Sequence, residues 1–440
     1  MFKMNPCYWA DGYKTAHRKM LAPGTTRLYG TWIPRSLKYA PTGVTKITSF
    51  GQQFVWLYIH DAFEENFFGE SWQKASVFVK DMEKYLGMKY DGTHFQQLHS
   101  LGYLPIKVKA LPEGVETDPN IPHMTFINTD DRFAWLSLFL ETMISSLAWK
   151  PMVAATIARQ YHRNANEWVM KTDPARAFLI DYMCHDFSAR GLNPHDMISV
   201  GMAHAAMGHN GSDTLAVIPA ARYYYMAFVV GETDDESKTV IESVNASEHS
   251  VSTTKIFTVG EQQMLADWMD IFPTGILSVV ADTFDIWKLI TEYLPALKEQ
   301  IMARDGKLVI RPDSGNPVDI ICGHKTEETD NIDNVDGDWY AVDVVSHRGS
   351  YFKRDKTWHG DDCDVQIGKQ LKSPEVKGVI ELLWDIFGGT VNEQGYKVLD
   401  SHIGAIYGDS ITLERQVEIY RRLAEKGFAA TNVVLGVGLR

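Results

Sequence analysis

Short β-branched runs that end abruptly in Asp, Arg or Gly recur along the second half of the chain: "LSVVADTFD", "KLVIRPDSG", "GAIYGDS" and "NVVLGVG". Each has the length of a buried strand, and helical spacing follows several of them, over Phe284 to Leu297 after the first and Thr412 to Lys426 after the third. In the latter Leu413, Val417, Tyr420 and Ala424 fall on one face, Ser410 or Thr412 is placed to cap the start, and Gly427 to stop the helix. Repeated β/α units predict a parallel sheet, either open and doubly wound or closed into a complete or irregular barrel. In both, the carboxyl ends of the strands form the functional edge, so these polar strand ends are expected to converge on one mouth.

The first 150 residues have a different texture. "TTRLYGTWIP" and "KITSFGQQFVWLYI" mix aromatic and β-branched residues as strands do, "PIKVKALPEGV" alternates like a half-exposed strand, and Glu64 to Leu86 is acidic and amphipathic. This predicts an N-terminal α+β domain over 1–150 and an α/β domain over 151–440, the latter beginning with the helical "PMVAATIARQYHRNANEWVM". Residues 325–364, rich in Asp and Gly, break the pattern and are expected to form a solvated insertion with at most a short hairpin. A calcium loop is the sharper reading of the same stretch, but the EF-hand ligand series ending in glutamate is missing. The most apolar helical stretch, Phe133 to Trp149, contains Glu141 and falls short of the ~20 apolar residues of a membrane span, so it reads as a core helix.

Length and composition narrow the function. A chain of 440 residues with 45% hydrophobic and 22% charged residues has the makeup of an ordinary globular protein of two or three domains, or one large α/β unit with an appendage. Its net charge of -13 argues against coating nucleic acid, while leaving room for a locally positive pocket for a small anion. Cys7, Cys184, Cys322 and Cys363 have no zinc-type spacing, and Met1 to Gly12 has no apolar signal, which together predict a reducing cytoplasm.

The chemistry gathers at the strand ends. In "IRPDSGNP" a proline holds Asp313 in fixed relation to Arg311; the guanidinium suits a phosphate or an amide carbonyl, and the carboxylate suits sugar hydroxyls or magnesium through water. Asp282 with Asp285, Gly408 with Asp409, and Gly436 with Gly438 end neighbouring strands in the same manner. Neither a dinucleotide fingerprint nor a P-loop is present. In "NASEHSVST", His249 stands between Glu248 and Ser250, a setting for a phosphoryl nucleophile or general acid/base as well as for a structural histidine. "HDFSARG" places Phe187 and Arg190 three apart, an aromatic plate and a cation suited to a flat ring on a phosphorylated sugar, although a capped helix start with a core phenylalanine has the same pattern.

Taken in order, "DGYKTAH", "HDFSARG", "GSDT", "SEHS", "VVADTFDIW", "IRPDSGNP" and "YGDS" resemble the nicotinamide phosphoribosyltransferases, especially their bacterial and phage branch, from about Asp11 to Gly438. The resemblance implies an irregular α/β barrel of the type II phosphoribosyltransferase kind with a second, smaller α+β domain. The implied enzyme is a head-to-tail homodimer with shared active sites, joining nicotinamide to phosphoribosyl pyrophosphate. It implies that Phe187 and the Tyr13 of a second copy sandwich the pyridine ring, that Asp213 takes the amide nitrogen and Arg311 the amide oxygen, and that Asp313 and Asp409 hold the ribose hydroxyls. Arg190, Ser243 and the Gly408, Gly436 and Gly438 loops would line the phosphates, with Asp11 and Arg35 reaching over from the second copy. Mg²⁺ is expected near Asp285, Asp313 and Asp409, directly or through water, and ATP is expected to phosphorylate His249 and so couple its hydrolysis to product formation.

Two departures accompany the resemblance. Ala281 stands where the family has a serine, and after "VVLGVG" the family continues with phosphate-binding basic residues and a segment that completes the first domain. The chain as given is therefore expected to be less stable than one carrying that segment, and weakly active or inactive. The competing readings are a nicotinate phosphoribosyltransferase, an inactive relative acting as a ligand-binding dimer, and, further off, a glycoside or phosphate hydrolase on the same barrel.

Overall fold

The structure, a computed structural model, describes residues 4–225, 240–330, 343–359 and 362–438. Its central sheet contains β1 (Cys184–Asp186), β2 (Gly211–Ser212), β3 (Asn245–Ala246), β4 (Thr274–Val280), β5 (Asp305–Arg311), β6 (Ile403–Tyr407) and β7 (Val433–Val437). They lie in the order β2-β1-β7-β6-β5-β4-β3 and every pairing is parallel. Glu242 bridges Gly211, and the Ser212 amide donates to its carbonyl at 2.9 Å, so the segment that leads into β3 also lies against β2. The two edges thus meet, and the sheet closes into an irregular barrel.

The apolar runs are strands because both of their faces are covered: all of β6 is buried, as are the last four residues of β4. The helix predicted after β6 spans Leu413–Glu425, capped by Thr412, whose side chain accepts from the Arg415 amide, and followed by Gly427 at φ 77°. Its inner face is rotated from the predicted one. Val417 is exposed, and Gln416 is buried instead, donating to the Tyr161 carbonyl at 2.9 Å and accepting from Asn164 at 3.0 Å. A fully bonded glutamine costs little to bury, and apolar periodicity does not reveal it.

The N-terminal region is α+β, with an antiparallel sheet of Tyr29–Trp32, Met124–Asn128 and Ile106–Ala110. "QQFVWLYI" is not a strand as expected but the start of the helix Gln52–Phe63, whose Val55, Ile59, Ala62 and Phe63 are buried at helical spacing. The stretch from Glu64 to Leu86 breaks around Gly69–Ser71 into a π-helical turn and two shorter helices. Residue 150 falls inside the helix Glu141–Thr172. Met143 to Ala158 of that helix pack with Phe54 and Phe139, and Tyr161 to Val169 pack in the barrel core with Leu308 and Tyr420. Val200, Ala203 and Val217 also join the first core, so the two packing units interleave along the chain. Among the described residues no helix is long and apolar enough to cross a membrane.

The insertion is more structured than a hairpin. Thr326–Glu328, Val344–His347, Ser350–His359 and Asp362–Leu371 form a four-stranded sheet, with a small core of Val344, Leu371 and Val376. The Asp-rich residues 331–342, weighed above as a calcium loop, lie outside the described residues.

Candidate active site at the strand ends

The ends of β1, β5, β6 and β7 approach so closely that a side chain at either of two glycines would displace a neighbour. A Cβ on Gly436 would lie 2.5 Å from the Phe187 ring, and one on Gly408 would lie 2.8 Å from Asp313 Oδ1. These glycines, expected along the phosphates, thus also seat the ring of Phe187 and the carboxylate of Asp313. A Cβ on Gly438 would meet only ordinary contacts, at 3.4 Å from Ser188.

The crowded "IRPDSGNP" corner resolves into separate tasks. Arg311 ends β5 and donates Nη2–H to the Ser247 carbonyl at 2.7 Å, while its Nε is buried with no protein partner. Gly315 supplies the positive φ of 90°, and Asn316 caps the helix Pro317–Cys322 by accepting from the Val318 amide. The Asp313 amide and the Ser314 hydroxyl both donate to Asp282 Oδ2, at 2.9 and 2.5 Å. Asp282 Oδ1 lies 3.1 Å from His249 Nε2. One carboxylate therefore ties together the ends of β3, β4 and β5. Burial opposes its charge, but the bonds from Ser314, Asp313 and His249 outweigh burial and hold the carboxyl below its ordinary range.

His249 opens the helix His249–Val259 and is half exposed at the mouth. With Nε2–H given to Asp282, the Nδ1 lone pair is the one available for chemistry. Glu248, beside it, lies 4.0 Å from the guanidinium of the exposed Arg190.

On the other side of Arg311 stands Asp213, just beyond β2. Its Oδ1 accepts from Ser243 Oγ at 2.6 Å and lies 3.0 Å from His185 Nε2. Burial works against its charge, yet His185, Ser243 and the nearby Arg311 prevail and lower its pKa. The His185 and Phe187 rings are 4.8 Å apart. Beneath them Asp186, fully buried, accepts from the Ser188 amide at 2.9 Å, Ser212 Oγ at 3.0 Å and Thr214 Oγ1 at 2.8 Å, while its carbonyl accepts from the Asp213 amide. Asp186 thus fixes both the Phe187 turn and the Asp213 turn.

The remaining predicted residues divide. Asp409 accepts from Ser410 Oγ at 2.8 Å next to Gly408, close to Asp313. Asp285 instead caps a helix, accepting from the amides of Trp287 and Lys288 at 3.0 and 3.2 Å. Among the described residues no three His, Cys, Asp or Glu side chains form a metal cage. Asp11 accepts from Thr142 at 2.6 Å and Tyr13, largely exposed, contacts His17. No described hydrogen bond, ion pair or ring contact joins Asp11, Tyr13 or the exposed Arg35 to the mouth of the same chain. Asp186 and His185 lie inside "HDFSARG", whose pattern marks Phe187 and Arg190, and in the sequence Asp282 reads only as a strand end. Their bonding spans 26 to 33 residues of sequence, and no local pattern announces it.

Barrel and mouth together define the type II phosphoribosyltransferase fold. The crystal structure of human nicotinic acid phosphoribosyltransferase matches with a TM-score of 0.55 at 14% identity, over 98% of this chain and 72% of that one. The chain belongs to the nicotinate phosphoribosyltransferase (NAPRTase) family, whose model matches residues 182–440. It is 35% identical to the nicotinamide phosphoribosyltransferase of Acinetobacter baylyi, over 99% of this chain and 79% of that protein. It is 28% identical to the nicotinamide phosphoribosyltransferase of Mycoplasma pneumoniae, over 97% of this chain and 83% of the relative.

Proposed function

We propose that this protein transfers the phosphoribosyl group of phosphoribosyl pyrophosphate to nicotinamide, giving nicotinamide mononucleotide and pyrophosphate in the salvage of NAD. The observation that carries the choice of base is the carboxylate of Asp213, near Arg311 and bonded to His185, whose ring packs against Phe187. A carboxylate accepts an amide N–H, and it repels the carboxylate of nicotinate. The family membership and the names of the two bacterial relatives support the same reaction.

In this reading Phe187 stacks the pyridine, Asp213 and Arg311 grip the two ends of its amide, and Asp313 and Asp409 hold the ribose hydroxyls. The pyridine nitrogen is thereby placed in line with the anomeric carbon, and bond formation there accompanies departure of pyrophosphate through an oxocarbenium-like transition state. No covalent sugar-enzyme bond is needed. Arg190 and the glycine loops after β6 and β7 face the phosphates.

Mg²⁺ fits this mouth as a substrate-borne ion. Asp313 and Asp409 offer the one or two carboxylates it usually takes beside phosphate oxygens and water, whereas Asp285 is engaged in its cap. Bound there, the ion would disperse charge on the leaving group. ATP would phosphorylate His249, oriented by Asp282, and Tyr13, Asp11 and Arg35 of a second copy would complete the site in a homodimer.

The base assignment is tested with Asp213→Asn. The ratio of kcat/KM for nicotinamide to that for nicotinate is expected to fall about 10- to 100-fold, the worth of one hydrogen bond to a charged group. An unchanged ratio removes the basis for choosing nicotinamide.

A further inference from the structure

Asp213 has two carboxylate oxygens, and the protein treats them differently. Ser243 Oγ donates to Oδ1 at 2.6 Å, and His185 Nε2 lies 3.0 Å from the same oxygen. Two donors on one oxygen leave the lone pairs of Oδ2 to face a ligand. His185 is itself firmly placed. It lies on β1, paired with both Gly436 and Gly211, its side chain is only 11% exposed, and its ring packs against Phe187. A Cβ on Gly211 would come within 2.7 Å of His185 Nδ1, so the ring lies close over this glycine, where any side chain would displace it.

We propose that His185 is a specificity-determining positioning residue: by donating Nε2–H to Oδ1 of Asp213 it fixes the rotamer of that carboxylate and presents Oδ2 as an acceptor for an N–H donor on the ring substituent. The inference rests on the base-transfer reading above. His185 does not take part in bond making. It acts through Asp213, and its contribution appears as discrimination between an amide and a carboxylate on the same ring. Ser243 donates through a rotatable hydroxyl that can follow the carboxylate, whereas the His185 ring is seated on β1 against Phe187 and gives Oδ1 a fixed donor.

The test measures kcat and KM for nicotinamide and for nicotinate in the intact protein and in His185→Phe, His185→Ala and His185→Gln, with thermal unfolding of each. His185→Phe keeps a ring against Phe187, and His185→Ala leaves space, so either folded variant is informative. Both are expected to lower the nicotinamide-to-nicotinate ratio of kcat/KM about tenfold, mainly through a higher KM for nicotinamide. His185→Gln, which retains an N–H donor, is expected to recover most of the ratio. A ratio unchanged in the folded Phe or Ala variant, with the parent active on nicotinamide, overturns the role of His185 alone. A parent that transfers to neither base overturns the base-transfer reading and this inference with it.

Discussion

Asp282→Ala is expected to lower kcat/KM for nicotinamide by about 10²- to 10³-fold, the range seen when one preorganised hydrogen-bonding group is lost from an active site. Asp282 touches no substrate atom in the proposed arrangement, so the size of the effect follows from what it holds. Removing it takes the acceptor from the Asp313 amide and the Ser314 hydroxyl, which together set the turn carrying Asp313, the carboxylate proposed to hold the ribose. It also frees His249 from its 3.1 Å contact and releases the tautomer that leaves Nδ1 reactive. Base transfer and any coupling to ATP should therefore fall together. Asp282→Asn keeps one acceptor oxygen and should lie between the two in steady-state kinetics. Kinetics within threefold of the parent for the alanine variant would mean that the turn is held by other contacts.

The second large effect is on stability. Asp186→Ala leaves three donors without an acceptor in a fully buried place: the Ser188 amide, Ser212 Oγ and Thr214 Oγ1. At roughly 1–3 kcal/mol for each unsatisfied group, a loss of about 3 kcal/mol or more is expected in denaturant unfolding at neutral pH. Burial raises the cost of charging Asp186, and burial also pushes the neighbouring His204 imidazole below its ordinary pKa. The nearby His204 and the hydrogen bonds from Ser188 and Thr214 nevertheless outweigh burial and hold the carboxyl below its ordinary range. The folded pKa lies below the ordinary 3.8, so the unfolded chain binds the proton first as pH falls. The stability contribution is thus present above about pH 4 and is lost as pH drops through the folded value. The parent should show this acid limb and Asp186→Asn should show less of it. Equal stability of parent and alanine variant within ~0.5 kcal/mol would show that water replaces the lost acceptor.

Much of the architecture is legible along the chain. The runs ending in Asp282, Arg311, Gly408 and Gly436 are strands, they are parallel, and their ends meet, because a strand covered on both faces has a signature of its own. "QQFVWLYI" misleads because a seven- or eight-residue aromatic and β-branched run fits a strand and a buried helix turn equally, and the Gly51 that opens the helix at φ 91° reads simply as a turn. Gln416 hides a helix face because burial of a bonded amide does not follow apolar spacing. Phe187, Asp213, Arg311 and Asp313, proposed to face the substrate, stand out by chemical type and by resemblance. Asp186, His185 and Asp282 hold them in place through contacts between distant segments, which only the folded chain displays. Residues that would come from a second copy, such as Tyr13 and Arg35, are marked by resemblance alone.

The most direct test is to mix the purified chain with phosphoribosyl pyrophosphate, Mg²⁺ and either nicotinamide or nicotinate, with and without ATP, and to separate the products by chromatography. Nicotinamide mononucleotide and pyrophosphate from nicotinamide, with little or no product from nicotinate, is the predicted result. Nicotinate mononucleotide as the main product, or no mononucleotide from either base, would contradict it.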